Sequence, residues 1–211
     1  MSLKLGVLVS GEGSNLQALI DSIKKNELSA KIVFVASNKP EIPALKRAEK
    51  AGIPCQFLNP AEFFTRESYD EAAAQEFLKR GAQLILLAGF MRILSTKFLS
   101  YFPGAVINIH PALLPDNPEE NEIILPDGTT SKVFRGSSAV KQALEAGTSW
   151  SGCTIHLVTE KVDAGPVLIK KPIKIYPDDT IFSLHSRIQE QEHILLPLGI
   201  QVWMKKRLTI C

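Results

Sequence analysis

A short β-strand and the loop that follows it decide the fold expected for this chain, and both lie in Val106-Ile107-Asn108-Ile109-His110-Pro111-Ala112-Leu113-Leu114-Pro115. Successive side chains of a strand point to opposite faces, so Asn108 and His110 share one face while the two isoleucines point into a core. Two strand rises separate their Cα atoms by roughly 6.5 Å, which leaves room for one reacting carbonyl. Pro111 cannot continue a central ladder, so His110 lies at the carboxyl end of the strand, where open α/β sheets bind ligands.

A turn histidine with its ring hydrogen-bonded to nearby backbone is the alternative, and for an isolated histidine it is the better explanation. Here the polar Asn-x-His pair interrupts a strand whose other residues are apolar and suited to burial. That placement favours chemistry at Asn108 and His110.

Composition limits the class of protein. The 211 residues are 45% hydrophobic and 22% charged, without a visible linker, which favours one large α/β domain. A net charge of +2 gives no strong electrostatic case for nucleic acid or an anionic membrane as partner. Cys55, Cys153 and Cys211 form no C-x-x-C pair, which fits a reduced cytoplasmic protein. No apolar run approaches membrane length and no signal peptide is visible, so no membrane partner is expected. The partners we expect are small-molecule substrates, and the expected oligomeric state is a monomer or homodimer.

A glycine-rich loop follows the first apolar strand, Leu3 to Val9, and consists of Ser10-Gly11-Glu12-Gly13-Ser14-Asn15. Apolar residues at helical spacing come next. A strand, a glycine loop and a helix N-terminus form an anion site, because unbonded backbone N–H groups and the helix dipole meet there. The loop matches neither G-x-G-x-x-G nor the Gly-Lys-Ser/Thr motif, which favours a single phosphate. An ordinary strand–helix turn with Ser14 as N-cap accounts for it equally well.

Strands and helices alternate along the chain. Strands are predicted at 32–37, 54–58 and 84–88, helices at 43–51 and 67–80, then a helix at 137–146, strands at 153–157 and 167–175, and a helix from 180 to about 202. The β-α alternation implies a parallel sheet. We therefore expect a single-domain, Rossmann-like α/β fold: a mostly parallel twisted sheet, helices on both faces, a C-terminal antiparallel addition and a long helix.

One irregular segment, Asp116 to Arg135, interrupts this pattern. It contains the turn Pro126-Asp127-Gly128 between β-prone runs, which predicts a hairpin. Its acidic side chains and this turn predict that the hairpin from about Glu119 to Phe134 is an exposed loop that lies outside the catalytic machinery.

Further motifs follow in order: Ala88-Gly89-Phe90-Met91-Arg92-Ile93-Leu94, Gly152-Cys153-Thr154-Ile155-His156, Val162-Asp163-Ala164-Gly165-Pro166 and Gln189 to His193. Together with the glycine loop and the Asn-x-His strand, they resemble the folate-dependent formyltransferases over nearly the whole chain, and most closely the members that formylate glycinamide ribonucleotide. The resemblance implies one formyltransferase domain at 1–211. Its phosphate-binding half is 1–104, its catalytic and folate-binding half is 105–211, and a hairpin is inserted at about 116–135.

The resemblance also implies a reaction. The formyl group of the co-substrate 10-formyltetrahydrofolate passes to the amine of glycinamide ribonucleotide, giving formylglycinamide ribonucleotide and tetrahydrofolate in de novo purine biosynthesis. The implied catalytic residues are Asn108, His110 and Asp163. The ribonucleotide is bound by Gly13, Ser14, Asn15, Gln189 and Glu192, and the folate by Arg66, Met91, Arg92, Ile93, Leu94, Asn108 and Asp163.

The chemistry requires residues of these types. Negative charge develops on the formyl oxygen when a neutral amine attacks, and Asn108 and a protonated His110 donate hydrogen bonds to such an oxygen. Asp163 is expected to raise the pKa of His110 and to orient its ring. Formyl transfer requires no metal, and no cluster of ligands at metal spacing occurs in the sequence. His156 lies in an apolar strand and is expected to be structural.

The chain departs from the family at one place. In the family Leu-Leu-Pro is followed almost at once by a glycine, whereas here Asp116 to Arg135 precedes Gly136. This difference changes the expected shape of the site entrance.

Three other functions compete with this one. Methionyl-tRNA formyltransferase carries a further C-terminal domain, but only 48 residues follow Asp163 here. Formyltetrahydrofolate hydrolase uses similar residues on water and normally has an additional N-terminal domain. A phosphate-sensing module without catalysis would not need Asn108, His110 and Asp163 intact.

Overall fold

The computed structural model describes the backbone of residues 2–210 and the side chains of residues 2–207. The chain folds as two compact units, one ending at Asn108 and one beginning at Ile109. The sequence predicted one formyltransferase domain whose two halves divide after residue 104. That division stays a prediction.

The first unit is a parallel sheet with its connecting helices. Its elements are β1 Leu3–Val9, α1 Ser14–Lys24, β2 Ala30–Ser37, α2 Pro43–Lys50, β3 Cys55–Phe57, a 3-10 turn Pro60–Glu62, α3 Arg66–Lys79, β4 Leu84–Leu87, α4 Thr96–Tyr101 and β5 Val106–His110, which continues past the end of the unit. The strands lie in the order β3-β2-β1-β4-β5, and every neighbouring pair is parallel. β4 is buried along its whole length, as expected for a strand covered on both faces.

Aromatic rings fill the core of the first unit. The ring centroids of Phe34 and Phe77 lie 5.3 Å apart and those of Phe77 and Phe98 lie 6.5 Å apart, both edge to face. Gly6 of β1 lets α3 approach this closely, because a Cβ at that position would collide with the Phe77 ring and with Ile85.

The second unit combines two antiparallel strand pairs with helices. Its further elements are β6 Glu122–Ile124, β7 Thr130–Lys132, α5 Ala139–Glu145, β8 Trp150–Leu157, β9 Val167–Lys174 and α6 Ile181–Ile210. β8 and β9 are antiparallel, and α6 packs against both. The close approach of α6 depends on Gly199, where a Cβ would meet Ile155. The predicted α/β class, with its mainly parallel strands, antiparallel addition and long final helix, is confirmed.

The predicted hairpin is confirmed as β6 and β7, with Ile123 opposite Ser131. Asp127 of its turn accepts hydrogen bonds from Ser149 Oγ and, at 3.2 Å, from Trp150 Nε1. The hydrogen bond from Ser149 is the main reason why the pKa of Asp127 falls to about 2. The hairpin tip is therefore tied to the start of β8.

Some predicted boundaries are wrong. α4 has no counterpart in the sequence prediction. It begins after Ser95, whose hydroxyl accepts from the N–H of Phe98 at 3.4 Å and whose own N–H donates to the buried Asp70 carboxylate at 2.6 Å. The helix for which Ser137 was predicted as the N-cap begins at Ala139, with Ser138 as its N-cap. Within the described residues no helix is both long and apolar enough to cross a membrane. Cys55 and Cys153 carry free thiols, and Cys211 lies outside the described residues.

Candidate active site

The glycine loop of the first unit ends in a left-handed N-cap. Gly13 has φ 73°, and its carbonyl accepts the N–H of Gln17 at 2.9 Å as the first hydrogen bond of α1. No side chain caps this helix, so Ser14 is its first residue and not the N-cap that the alternative explanation required. The N–H groups of a helix's first turn have no partner inside the helix, and the helix dipole favours negative charge there. The loop has the construction of an anion site.

The second helix fixes the shape of this loop. The N–H of Ala44 donates to the carbonyl of Gly11 at 3.1 Å, and Arg47 Nε donates to the carbonyl of Glu12 at 2.8 Å. A Cβ on Gly13 would collide with Ala44. Glycine is therefore required at 13 both by its positive φ and by this close approach.

Ser10 links three loops at the carboxyl edge of the parallel sheet. Its hydroxyl donates to Asn38 Oδ1 at 2.6 Å and accepts the backbone N–H of Met91 at 2.9 Å. Ser10 follows β1, Asn38 follows β2 and Met91 follows β4. One hydroxyl therefore holds the segment that begins at Met91 beside the glycine loop.

Five of the residues that sequence analysis assigned to folate, Arg66 and Met91 to Leu94, lie in two places of the first unit. Met91 and Ile93 are exposed, with relative accessibilities of 64% and 56%, whereas Leu94 is buried. The guanidinium of Arg92 lies 4.9 Å from the centre of the Tyr69 ring, a cation–π contact. Arg66 is exposed at the first position of α3, with Glu67 as an ion-pair partner at 3.8 Å.

The second unit contains one carboxylate between two buried imidazoles. Asp163 Oδ2 lies 3.3 Å from His110 Nδ1, and its Oδ1 lies 3.4 Å from His156 Nε2. The side chains of His110, His156 and Asp163 are only 3%, 2% and 8% exposed. The structure thus brings Asp163 to His110, two residues beyond the half-buried Asn108 on the same strand.

Sequence analysis missed His156 as part of this cluster. The signal was present, because Thr154 and His156 are polar residues two apart in an otherwise apolar strand, as Asn108 and His110 are. Thr154 Oγ1 donates to the carbonyl of Ala112 at 2.7 Å and accepts the N–H of Leu114 at 3.1 Å. β8 therefore supports both Asp163 and the loop after His110.

The backbone around Asp163 is shaped to present its carboxylate. Asp163 has φ 48°, a left-handed conformation that aspartate tolerates better than most residues. Two residues later, a Cβ on Gly165 would collide with the carbonyl oxygen of Leu157. The N–H of Leu157 donates to the carbonyl of Pro166 at 2.9 Å and closes the loop.

The end of the hairpin insertion enters this cluster, so the expectation that the insertion lies outside it is wrong there. His110 Nε2 lies 2.7 Å from the carbonyl oxygen of Phe134, and the N–H of Gly136 donates to Asp163 Oδ2 at 2.7 Å. We refer to Phe134-Arg135-Gly136 as the strap. The sequence contained no sign of these contacts, because they join residues 24 and 27 positions apart.

Burial decides the direction in which the pKa of His110 moves. Burial lowers this pKa, the Asp163 carboxylate and the Phe134 carbonyl raise it, and His156 and Arg135 lower it further, so it falls below its ordinary value. Asp163 raises the pKa as expected, but desolvation of the ring outweighs the carboxylate, so the net change is a lowering. Both ring nitrogens nevertheless face acceptors, and only an imidazolium can donate to both.

Burial acts on the pKa of Asp163 in the opposite direction, but its hydrogen-bond partners outweigh it. Burial alone raises its pKa, but the hydrogen bond from His156, the charge of His110 and the N–H of Gly136 together lower it to about 2. The carboxylate is ionised at neutral pH and faces an imidazole ready to accept a proton.

Glu192 and Gln189 lie one helical turn apart on α6, so they share a face. Glu192 is 5% exposed and Gln189 is half-buried. Burial raises the pKa of the Cys153 thiol to about 12, and the nearby Glu192 carboxylate adds to this effect. Glu192 therefore lies close to β8. Among the residues whose side chains are described, no group of three or more His, Cys, Asp or Glu is arranged to hold a metal ion.

The chain is similar to known proteins in its family pattern, in its sequence and in its structure. Residues 3–200 match the model of the family described as formyl transferase. Phosphoribosylglycinamide formyltransferase of Escherichia coli strain K12 is 37% identical over 208 residues, 99% of this chain and 90% of the relative. A trifunctional purine biosynthetic protein adenosine-3 of Chironomus tentans is 41% identical over 201 residues, 94% of this chain, which spans only 13% of that relative.

Solved structures are similar to this chain over nearly its whole length. The crystal structure of glycinamide ribonucleotide transformylase 1 from Symbiobacterium toebii has a TM-score of 0.88 at 33% identity, covering 98% of this chain and 89% of that one. Phosphoribosylglycinamide formyltransferase from Bacillus halodurans has a TM-score of 0.83 at 29% identity, covering 95% and 94%.

The first prediction concerns Asp163→Asn and stability. The folded-state pKa of about 2 lies below the ordinary 3.8, so the ionised carboxylate stabilises the fold above about pH 4 and this contribution is lost as the pH falls through about 2. The difference corresponds to at most about 2 kcal/mol at pH 7. Urea unfolding should show that gap between wild type and variant at pH 7, narrowing between pH 4 and pH 2. A gap that stays constant over this range would show that the charge of Asp163 does not stabilise the fold.

Proposed function

The chain belongs to the formyl transferase family, and from that premise we propose that it transfers the formyl group of 10-formyltetrahydrofolate to the amine of glycinamide ribonucleotide. The products are formylglycinamide ribonucleotide and tetrahydrofolate, a step of de novo purine biosynthesis. One observation carries the proposal: an ionised, buried Asp163 faces His110, at the end of the strand that bears Asn108.

The roles of Asn108 and His110 follow from where charge develops. The amine lone pair forms a bond to the formyl carbon, and the electrons of the carbonyl π bond move to the formyl oxygen. The side-chain amide of Asn108 is suited to donate to that oxygen, and such a donor is worth roughly 2.7–4 kcal/mol of transition-state stabilisation. When the carbonyl re-forms, the bond between carbon and the folate nitrogen breaks.

The reaction must also move one proton from the attacking amine to the departing nitrogen. The lowered pKa of His110 leaves its ring neutral at neutral pH and able to accept that proton. The ionised Asp163 stabilises the imidazolium so formed, and His156 in turn holds Asp163. His110 then gives the proton to the leaving nitrogen, so the ring is neutral again at the end of one turnover.

The binding residues suit two different ligands. The N-terminus of α1, with Gly13, Ser14 and Asn15, is suited to the single phosphate of the ribonucleotide, and Gln189 and Glu192 supply an amide and a carboxylate for its polar groups. The exposed Met91 and Ile93 suit the flat ring of the folate. We assign Arg66, Arg92 and Leu94 to the same ligand, together with Asn108 and Asp163.

The proposal includes the setting of the enzyme. We propose that it acts on small molecules in the cytoplasm, as a monomer or a homodimer, without nucleic acid, membrane or metal. The two free thiols support a reducing compartment.

Mixing the purified protein with 10-formyltetrahydrofolate tests this function directly. With glycinamide ribonucleotide present, we expect tetrahydrofolate and formylated ribonucleotide to appear in equal amounts. Release of formate at the same rate without the ribonucleotide would identify a hydrolase, and no turnover under either condition would identify a binding protein.

A double-mutant cycle tests the His110–Asp163 unit. His110→Ala and Asp163→Asn should each lower kcat by roughly 100- to 1,000-fold, with a less than additive loss in the double variant because the two groups act together. KM for either substrate should change by much less. Near-wild-type kcat in folded His110→Ala protein would refute the assignment.

The phosphate loop gives a binding prediction. Asn15→Ala should weaken ribonucleotide binding about tenfold or more and leave folate binding nearly unchanged, because it removes a side-chain amide from the first turn of α1. Calorimetric titration with each substrate measures this. Gly13→Val is the comparison for a structural effect, since its side chain would strike Ala44. Equal losses for both ligands in Asn15→Ala would mean that the loop only supports the fold.

A further inference from the structure

We propose that Arg135 is a positioning residue for formyl transfer, which clamps the hairpin insertion onto the backbone of Asp163 and so holds that carboxylate against His110. The inference rests on the proposed function for its kinetic consequence. Its structural consequence is tested separately below.

The guanidinium of Arg135 joins three segments through four hydrogen bonds. Its Nε donates to the carbonyl of Asp163 at 3.3 Å and its Nη1 to Asn121 Oδ1 at 3.2 Å. Its Nη2 donates to the carbonyls of Pro118 at 3.2 Å and Glu120 at 2.9 Å. A planar fork of five fixed N–H groups suits this arrangement, whereas a lysine ammonium offers only three donors from one point.

The acceptor on the Asp163 side belongs to a residue that must be held. Asp163 adopts φ 48°, and residues in sparsely populated conformations persist only where their surroundings fix them. Arg135 holds the backbone carbonyl of Asp163, and the N–H of Gly136 holds its carboxylate at 2.7 Å. Two consecutive residues therefore fix both ends of Asp163.

The remaining residue of the strap, Phe134, bonds to His110. The carbonyl oxygen of Phe134 accepts from His110 Nε2 at 2.7 Å. Because Phe134, Arg135 and Gly136 are consecutive, anchoring the middle residue sets the position of the carbonyl before it and the N–H after it. Loss of the anchor should displace both catalytic contacts together.

Other contacts of the insertion cannot replace this anchor. Glu119 and Lys161 form an ion pair at 2.9 Å, but both side chains are more than 60% exposed, and such pairs contribute little. The tip is tied to β8 through Asp127, at the far end of the hairpin. Arg135 is the half-buried group that links the base of the insertion to the Asp163 loop.

The hairpin allows the tip and the clamp to be separated. The N–H of Val133 donates to the carbonyl of Asn121 at 2.9 Å at the base of the hairpin, and a two-residue turn placed between these residues would keep the same hydrogen bond. Residues 122–132 can therefore be replaced by Asn-Gly without removing any acceptor of Arg135, since Pro118, Glu120, Asn121 and Asp163 all lie outside that range.

The kinetic test compares Arg135→Ala, Arg135→Lys, the tip replacement and Lys132→Ala, an exposed cation on the same hairpin. We expect kcat to fall about 30- to 100-fold in Arg135→Ala, with KM for both substrates within about threefold, because misplacing catalytic groups by about 1 Å costs this much. Arg135→Lys should recover part of the loss. The tip replacement and Lys132→Ala should stay within about threefold of wild type.

A second measurement does not depend on turnover. Arg135 is one of the groups that lower the pKa of His110, beside His156 and against Asp163 and the Phe134 carbonyl. Arg135→Lys keeps this charge but removes the fork, so weaker contacts of His110 with Asp163 and the Phe134 carbonyl, which raise its pKa, should make the ring titrate at lower pH by NMR, and the amide of Gly136 should exchange faster.

The outcomes separate the two ideas. A kcat within twofold of wild type in Arg135→Ala, or a loss as large in Lys132→Ala, overturns the clamp. An unchanged His110 titration together with an unchanged Gly136 exchange rate overturns it as well, whether or not the protein transfers formyl groups. Absence of turnover in the wild type with both NMR changes present would overturn the proposed function and leave the clamp supported.

Discussion

The buried carboxylate of Asp163 is the group on which the rest of the second unit depends. Burying an ionised carboxylate is expensive unless hydrogen-bond donors surround it. Here each oxygen faces an imidazole and one also accepts the N–H of Gly136, which together lower the pKa of Asp163 to about 2 despite burial. β8 supplies His156, β5 supplies His110, and the strap supplies the amide, so three segments must arrive at one point for the charge to be tolerated. A group whose burial requires this much support is a group that chemistry can use.

The pair that results is matched for moving a proton. Desolvation lowers the pKa of His110, and the neutral ring has two acceptors around it but only one N–H to donate. Accepting a proton satisfies both acceptors at once and places the new charge next to a carboxylate. Losing the proton relieves the cost of a buried cation. Burial therefore disfavours the cation while the two acceptors favour it, and these opposed effects act on the group that is proposed to carry the proton.

The hairpin insertion shows how a loop can become part of a site without bringing a new reactive group. Its tip is exposed and acidic, as its composition predicts, yet its last residues reach both members of the His110–Asp163 pair through backbone atoms. Backbone groups leave no signature in a sequence, so nothing in Phe134 or Gly136 indicated this contact. Asn108 and His110 were predictable because strand alternation is local, and the loop before α1 was predictable because a strand, glycines and a helix follow one another. His156 was missed although its alternation with Thr154 was visible, since a histidine in an apolar strand has the same pattern whether its partner is a carboxylate or a backbone carbonyl. The effect of Asp163 on the pKa of His110 was predictable, but the net lowering was not, because it depends on how completely the ring is buried.

The residues of the site differ in what fixes their positions. Asn108, His110 and His156 lie on strands, and Glu192 lies on a long helix, where backbone hydrogen bonds fix each Cα. Asp163 lies on a loop, and its left-handed φ makes it the one member of the cluster whose position regular structure does not fix. Other contacts fix the position of that residue. They are the close approach allowed by the glycine at 165, the hydrogen bond between Leu157 and Pro166, and the two donors from the strap. Positional accuracy at Asp163 is therefore supplied by side-chain and loop contacts, which is why an insertion next to the site was able to take over part of that support.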